Sequence, residues 1–501
     1  MKVKTFILTF LVMSCPFLFG QSHWVDPILP GEDVMTVTAK VTLDGTLQSG
    51  ESYEVAVFNA EDNKLVEVGK FTNHGIPELE YHVGLSIPGA AGDRFYFKFF
   101  NGTYEYVSLT EIDYVAQQGS HLNLFTIEFK AVAKIGNVVY PSLQEAFAAA
   151  QSGETITLVA NTDENILVGN ENLKPYNKSV IVEGDGFEAT GGWNFGRDDN
   201  NADNGEITIN NVKFSNKGVA VVEFKNVTIT NCVFGNITSE LAAIRVICDD
   251  STDEVTLTGN TITNVSCENA SGIRVRGAKD ATVSDNVITN VNFTSILFEG
   301  TTNNNLVIKN NVIKNWAYAN GSAANDGRAI RIAKGEGTCT VENNAMIIDY
   351  SAPEEFVKVD GNTSKVSFDK NYWDAEEPKA PTHYNTVVKV DSYYAAFDET
   401  TKELSDLRTI NYVAQIGDIK YSSLQAAIDD ATAGQTVTVI NDVELENTVT
   451  VAAGKVVTLD LNGKTVSGIS NVASTTAVIL NKGNLTVKTS VEGGKITTQA
   501  L

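Results

Sequence analysis

Four basic side chains recur at equivalent positions of a repeated strand pattern. The segments AAIRVI, SGIRVRG, RAIRIAK and FVKVD contain Arg245, Arg274, Arg331 and Lys358, each between two apolar residues. Because the side chains of a strand point alternately to its two faces, we expect the apolar neighbours inward and the four cations outward. Leu297, in SILFEG, interrupts the row. Such a row could bind the carboxylates or sulfates of an acidic glycan.

A second interpretation of this row requires no ligand, and it is the one that the sequence favours. The strand face could simply be solvated, with each arginine paired to an acid that lies nearby in the pattern. The acids in question are Asp249, Asp280 and Glu299. Because both interpretations stay open, the four cations are kept as glycan-binding candidates.

Two loops that exceed the repeat spacing carry aromatic side chains. The stretch 191–206 contains Trp193, and the stretch 315–327 contains Trp316 and Tyr318. Aromatic faces on loops over a rigid scaffold can stack on sugars, so these three residues are further glycan-binding candidates. The alternative is that each ring folds back onto the wall of the scaffold.

The first of these loops also contains a short acidic pattern. Asp199, Asn201 and Asp203 alternate as in a calcium-binding loop. The calcium-hand spacing then fails, because its twelfth position is Asn210 rather than a glutamate. We therefore predict no required cofactor and keep Ca²⁺ as an optional ligand of these three residues.

The elements that position these residues are set by a short internal repeat. ITNCVFGNI, LTGNTITNV, VSDNVITNV and IKNNVIKNW align in one frame, and the apolar positions of the column are separated by 20 to 33 residues. Runs rich in Val, Ile and Thr stand between the repeats, which is typical of coils of short strands stacked by parallel pairing. The apolar column is Phe214, Phe234, Ile262, Ile288, Ile313, Met346 and Trp373.

An asparagine two positions before most of these apolar residues is the other recurrent feature of the repeat. Asn260, Asn286 and Asn311 occupy it, and Cys232 replaces it in one coil. We interpret this column as an internal ladder, in which each carboxamide hydrogen-bonds its counterparts in the coils above and below. The alternative is a polar surface row that binds a polysaccharide.

These motifs resemble the right-handed parallel β-helix of the pectin-lyase-like superfamily. The resemblance rests on the Asn-x-Ile/Phe-x-Asn coil motif and on DKNYWDAEEP at 369–378, and it covers about 131–400 and again the chain from 411. It implies a solenoid fold. It also implies that enzymatic activity on acidic polysaccharides has to be considered, because lyases and hydrolases of such substrates belong to this group.

The catalytic motifs of those enzymes are not reproduced here. Asn161-Thr162-Asp163, Asp249-Asp250 and Arg331-Ile332-Ala333-Lys334 echo three galacturonan hydrolase motifs, but the first two are about three coils apart and cannot flank one glycosidic bond. No histidine lies within 122–382, so the fourth motif does not exist. We predict no catalytic residues, and the alternative is a calcium-assisted lyase on the Arg274/Arg331 face.

A long-range duplication defines the domain organisation. AKIGNVVYPSLQEAFAAAQSGETITLV at 133–159 matches AQIGDIKYSSLQAAIDDATAGQTVTVI at 414–440, with Ile135 equivalent to Ile416. Each copy predicts a strand, an amphipathic helix such as Ser142–Ala150, and a further strand. The helix could cap the open first rung of a β-helix.

Period-two alternation over residues 34–130, with turn residues at intervals of about ten, predicts an antiparallel β-sandwich. The fold class is therefore all-β. The predicted domains are a signal peptide (1–20), the sandwich (21–130), a capped parallel β-helix (131–400) and the start of a second, apparently incomplete β-helix unit (411–501).

The N-terminal sequence and the composition indicate where the protein is located and which binding partners are excluded. MKVKTFILTFLVMSCPFLFGQS has the layout of a secretory signal, and lipid anchoring at Cys15 is a less favoured alternative. With 37 basic against 62 acidic side chains, the net charge of −25 disfavours nucleic acid as a binding partner.

The four other cysteines fit no zinc pattern, so we interpret them as buried free thiols. We expect a secreted or cell-surface protein without a transmembrane segment, acting as a non-catalytic, glycan-contacting adhesion or scaffold protein.

Overall fold

The structure is a computed structural model that describes most of the chain. The described residues are 22–27, 33–72, 81–115, 117–120, 123–169, 176–196, 204–238, 240–248, 254–299, 305–319, 322–323, 327–333, 338–350, 355–360, 366–375, 378, 388–469 and 477–499. The chain divides into two compact units, residues 1–168 with 178–189 and residues 169–177 with 190–501. The sequence-predicted domain boundaries stay predictions.

The N-terminal strands of the first unit are mainly antiparallel. Their bounds are β1 Val34–Leu43, β2 Thr46–Leu47, β3 Glu54–Asn59, β4 Leu65–Thr72, β5 His82–Pro88, β6 Arg94–Phe100, β7 Glu105–Asp113, β8 Gln117–Gln118 and β9 Phe125–Phe129. β1 pairs antiparallel with β5, β3 with β4 and β6, and β6 with β7, whereas β1 and β9 run parallel. Alternate residues such as Val37 and Phe97 are fully buried in one core, which agrees with the predicted sandwich.

The rest of the first unit contains the first copy of the duplicated segment. Its elements are β10 Ala133–Ile135, β11 Val138–Tyr140, α1 Leu143–Ala149, β12 Thr155–Leu158, β13 Ile166–Val168, β14 Val180–Glu183 and β15 Glu188–Ala189. Ser142 caps α1, because its hydroxyl accepts a hydrogen bond from the Glu145 N–H at 3.1 Å. The apolar face of α1, including Leu143 and Phe147, is buried against β10 and β13.

The second unit contains short strands arranged in coils. Their bounds are β16 Trp193–Phe195, β17 Asn204–Asn210, β18 Lys213–Ser215, β19 Val219–Val222, β20 Phe224–Thr230, β21 Val233–Ile237, β22 Ala242–Ile247, β23 Glu254–Thr258, β24 Thr261–Val265, β25 Ser271–Arg276, β26 Asp280–Ser284, β27 Val287–Val291, β28 Ile296–Glu299, β29 Asn305–Lys309, β30 Val312–Lys314, β31 Tyr318–Ala319, β32 Ser322–Ala323, β33 Ile330–Ala333, β34 Cys339–Glu342, β35 Ala345–Ile347, β36 Val357–Asp360, β37 Val366–Ser367, β38 Asn371–Tyr372, β39 Val388–Lys389, β40 Ser392–Phe397 and β41 Leu404–Thr409.

Equivalent strands of successive coils pair in parallel and form the walls of a β-helix. Sheet I is β17-β20-β23-β26-β29-β34-β37-β39, sheet II is β18-β21-β24-β27-β30-β35-β38-β40, and sheet III is β16-β19-β22-β25-β28-β33-β36. The predicted apolar column is confirmed in sheet II from Phe214 through Ile288 to Met346, and its side chains are buried. The hairpin β40–β41 is antiparallel and extends sheet II.

The second copy of the duplicated segment repeats the elements of the first. Its elements are β42 Ala414–Ile416, β43 Ile419–Tyr421, α2 Leu424–Asp430, β44 Thr436–Val439, β45 Val443–Leu445, β46 Val449–Val451, β47 Val456–Asp460, β48 Thr465–Ile469, β49 Ile479–Asn481, β50 Asn484–Lys488 and β51 Lys495–Gln499. Both ends of α2 lie 281 residues after those of α1, so the predicted duplication is confirmed. Parallel pairing of β44-β47-β50 and β45-β48-β51 builds further coils.

Helices are short throughout the described ranges. None of those helices combines the length and apolar character that a membrane crossing requires.

Candidate functional site

The four predicted cations do form one column in sheet III. Arg245 is paired in register with Arg274, Arg274 with Leu297, Leu297 with Arg331, and Arg331 with Lys358. Their apolar neighbours in the strands are buried, while the four basic side chains are half-buried and lie on the outward face. The period-two argument therefore located this column correctly.

Carboxylates from the same face engage part of this column. The Arg274 Nε and Nη2 donate to the two carboxylate oxygens of Glu299 at 2.8 and 3.1 Å. Arg331 Nε donates to Asp360 Oδ2 at 2.6 Å, and the Lys358 ammonium lies 3.8 Å from Asp360 Oδ1. The ion-pair interpretation is therefore confirmed for Glu299. A partly exposed pair of this kind contributes up to about 1 kcal/mol to stability.

The outward face of sheet III carries one more cation that the sequence analysis did not identify. Arg276 is half-buried and stands two residues after Arg274, in register with Glu299 of the next coil. The Arg-Val-Arg spacing was its signal, because residues two apart in a strand share a face. We call the following five residues the basic face: Arg245, Arg274, Arg276, Arg331 and Lys358. Glu299 contacts Arg274, and Asp360 contacts both Arg331 and Lys358.

The stacking interpretation of the two tryptophans is wrong. Trp193 lies in β16 and Trp316 follows β30, and both indole rings are fully buried. Trp193 packs edge-on against Phe214, with ring centroids 4.9 Å apart, and Trp316 packs against Phe356 at 4.7 Å. Burying such large apolar rings stabilises the coils, so neither ring can stack on a sugar. Tyr318 lies in β31, but its side chain is outside the described part of the structure.

The predicted calcium ligands Asp199, Asn201 and Asp203 lie outside the described residues. Across the ranges that the structure does describe, no three His, Cys, Asp or Glu side chains are grouped as a metal site requires.

The asparagine ladder is confirmed as an internal feature. Asn286 is fully buried, and its carboxamide oxygen accepts hydrogen bonds from the Asn260 backbone N–H and side-chain amide at 2.9 and 3.0 Å. Its own amide donates to Asn311 Oδ1 and to the Leu257 carbonyl, both at 2.9 Å. Asn344 and Asn371 continue the ladder. The column therefore fixes the register of the coils and offers no binding surface.

A second set of asparagines forms a ladder nearer the surface. Asn264, Asn290 and Asn315 each have a positive φ of 57–58° and donate to the preceding member at 3.1 Å, beginning with Asn236. Asparagine tolerates this left-handed conformation at the corner of a coil better than most residues do. These amides mark one edge of the outward face of sheet II.

The four cysteines after Cys15 are free thiols. Cys232, Cys248 and Cys339 are buried as predicted, and Cys267 is half-buried. Burial raises the pKa of the Cys339 thiol to about 12, so this group is unreactive near neutral pH.

The comparison with known families agrees with this geometry. Residues 199–372, about a third of the chain, match the family model described as a right handed beta helix region. This part of the chain is therefore a right-handed parallel β-helix, and its architecture fits the pectin-lyase-like superfamily. No curated protein and no solved structure shows significant similarity to the chain.

Proposed function

We propose that the protein is a secreted or cell-surface, non-catalytic adhesion or scaffold protein that binds acidic glycans on its basic face. A β-helix of this kind is consistent with a carbohydrate-related surface protein. Secretion is supported by the sequence of residues 1–20, which has the basic, apolar and small-residue regions of a signal peptide.

The observation that carries the proposal is the alignment of basic side chains on one outward face of a strongly acidic chain. The basic face groups five basic side chains on one sheet, whereas the whole chain has a net charge of −25. Parallel coils are about 4.8 Å apart, so Arg245 and Arg274 are one rung apart, and so are Arg331 and Lys358. Guanidinium groups at such regular spacing suit the repeated carboxylates or sulfates of a polysaccharide.

The rigidity of the face also supports binding. Each arginine that meets Glu299 or Asp360 is held in place, so little side-chain entropy remains to be lost when a ligand binds. An anionic glycan would share these guanidinium groups, since each has five N–H donors and the carboxylate uses one or two of them.

A binding titration with polygalacturonate and with a sulfated polysaccharide tests the proposal. We expect the double variant Arg274→Gln, Arg331→Gln to bind at least tenfold more weakly than the unaltered protein. The matched control is Arg94→Gln, Arg408→Gln, which removes two exposed arginines that also contact acids and changes the net charge equally. Equal affinity of the two double variants would exclude the basic face as the site.

Incubating the protein with polygalacturonate also tests the alternative that it is a lyase. A lyase acting on uronic-acid chains releases unsaturated products, which ultraviolet absorbance detects. Their appearance, and their loss in the Arg274→Gln, Arg331→Gln variant, would replace the adhesion proposal with catalysis on the same face. We expect no such products, with or without added Ca²⁺.

A further inference from the structure

A groove lies between the end of the hairpin β40–β41 and the outward side of the preceding coils of sheet II. Its volume is about 350 Å³, which lies within the range of small-ligand pockets. Residues of successive coils, both in the strands and at the turns before them, line one side, and Phe397, Lys402 and Leu404 of the hairpin line the other. We call this space the hairpin groove. It belongs to a different sheet from the basic face.

The floor of the hairpin groove is apolar. Val287, Val312 and Ala345 occupy one outward column of sheet II, where strand pairing places each beside the next. Tyr372 follows Ala345 in the same column. The small side chains leave open space, and the tyrosine ends the column beside Phe397, with the two ring centroids 5.7 Å apart.

One wall of the hairpin groove is polar. Asp285, Asn310 and Asn343 stand one position before the buried ladder, with positive φ values of 56–59°. The Asn310 amide donates to Asp285 Oδ1 at 3.1 Å, so the carboxamide and the carboxylate are oriented by each other. A carboxamide offers two donors and one acceptor oxygen, and hydroxyl groups of a ligand can use either kind.

The hairpin tip is held in place before any ligand binds. Asp398 accepts hydrogen bonds from the backbone N–H groups of Thr401 and Thr400 at 3.1 and 2.7 Å, and these bonds hold its pKa below the usual range. Glu399 in the tip also pairs with Lys314 of β30 at 2.9 Å. A fixed tip keeps the groove open and reduces the entropy that binding must overcome.

The charges that face the groove cancel each other. Asp285 on the wall and Lys402 on the hairpin are opposite in sign, and Glu399 is engaged by Lys314. A carboxylate or phosphate ligand would meet Asp285, and a cationic ligand would meet Lys402. A neutral ligand with both hydroxyl groups and an apolar face therefore fits best.

We propose that the hairpin groove binds a neutral sugar of one or two rings. The half-buried Phe397 ring stacks on the C–H face of the sugar, the valine and alanine floor packs beneath it, and Asn310 and Asn343 hydrogen-bond its hydroxyl groups. This site does not depend on the basic face, because it uses other residues and a ligand of different charge.

Saturation-transfer difference NMR on the full chain tests this site with a panel of neutral sugars. The panel is glucose, galactose, mannose, N-acetylglucosamine and their disaccharides, with a galacturonate trisaccharide as the anionic comparison. We expect at least one neutral sugar to bind at millimolar concentration, and Phe397→Ala to weaken it at least fivefold. Asn310→Gly should weaken it as well, since glycine keeps the positive φ while removing the carboxamide.

The control is Phe58→Ala, which removes another half-buried phenylalanine that contacts a tyrosine, on a strand of the N-terminal sandwich. This variant should bind the sugar normally. If Phe397→Ala does not fold, Asn310→Gly alone decides the question. The proposal is overturned if no neutral sugar binds, if affinity is unchanged in both groove variants, or if the galacturonate trisaccharide binds there in preference.

Discussion

Asn286 and Asn290 belong to the same strand motif, yet they have different physical roles. Asn286 is fully buried and its carboxamide bonds to the coils on both sides. Asn290 stands at a corner with a φ of 57° and bonds its neighbours near the surface. A buried hydrogen-bonding group that loses its partner is far more costly than an exposed one, because water cannot replace the partner.

This difference predicts unequal effects of substitution. Asn286→Ala removes the acceptor of the Asn260 backbone N–H and amide, and the donor to Asn311. We expect the free energy of unfolding to fall by about 3 to 5 kcal/mol. Urea denaturation followed by circular dichroism measures the change.

The control for this prediction is Asn264→Gly in the outer ladder. It removes exposed hydrogen bonds and keeps the positive φ. We expect a loss below about 1 kcal/mol. Similar losses for the two variants would show that the inner ladder is not a stabilising element.

Glu67 makes stability depend on pH. Burial, with a smaller contribution from the Asp26 carboxylate, raises the pKa of Glu67 from 4.5 to about 7. The folded state thus binds the proton more tightly than the unfolded state does. The stabilisation is complete below about pH 4.5 and is lost as the pH rises through about 7.

Glu67→Gln should remove this part of the pH dependence. We expect its stability curve between pH 4.5 and 7 to be flatter than that of the unaltered protein, and its stability above pH 7 to be higher. Urea titrations at several pH values measure both effects. The exposed Glu61→Gln serves as control and should leave the slope unchanged, so an identical slope for Glu67→Gln would contradict the assignment.

At the scale of elements, the two helices are equal in length but differ in how their N-termini are stabilised. Ser142 and Ser423 each accept a hydrogen bond from the third residue of their helix. α1 has an additional support, because the Glu164 carboxylate accepts from the Leu143 and Gln144 N–H groups at 3.0 and 3.2 Å. A carboxylate at a helix N-terminus also interacts favourably with the helix dipole.

Glu164→Ala should therefore destabilise the first unit. It leaves two helix N–H groups without their acceptor, and we expect a loss of about 1 to 2 kcal/mol. Differential scanning calorimetry of the full chain measures it. Asp163→Ala, which changes the adjacent exposed carboxylate, should cost less than about 0.5 kcal/mol; an equal loss would mean that the contacts of Glu164 with α1 are unimportant.

At the scale of the whole molecule, the net charge of −25 opposes the approach of any polyanion. This repulsion acts over long distances at low salt, where the Debye length is about 30 Å, and is mostly screened at 0.15 M, where it is about 8 Å. The contacts of the basic face act at short range and are screened less.

The proposed glycan binding should therefore show an unusual salt dependence. We expect the association rate constant for polygalacturonate to rise as ionic strength increases from about 0.01 to 0.15 M, because screening removes the repulsion. Binding kinetics on immobilised polygalacturonate measure it. A rate that falls with salt would instead indicate long-range attraction by the protein.

The β-helix and its ladder could be predicted because they depend on local repetition. A residue that recurs in every coil must stack on its own copies at the rung spacing, so aligned repeats such as Ile262 and Ile288 give the register directly. The same argument located Arg274 and Arg331 on one outward face. The duplication at an offset of 281 residues located both helices.

The sequence by itself thus determined the solenoid, its register, the two short helices and the direction in which the basic column points. Only the tertiary structure decided that Trp193 and Trp316 are buried, which carboxylates meet the arginines, and that a hairpin bounds a groove. The physical reason is that burial and pairing depend on which side chains meet in three dimensions, which the spacing of the repeat does not specify. The pair between Lys314 and Glu399 joins residues 85 positions apart, and no periodicity encodes such a contact.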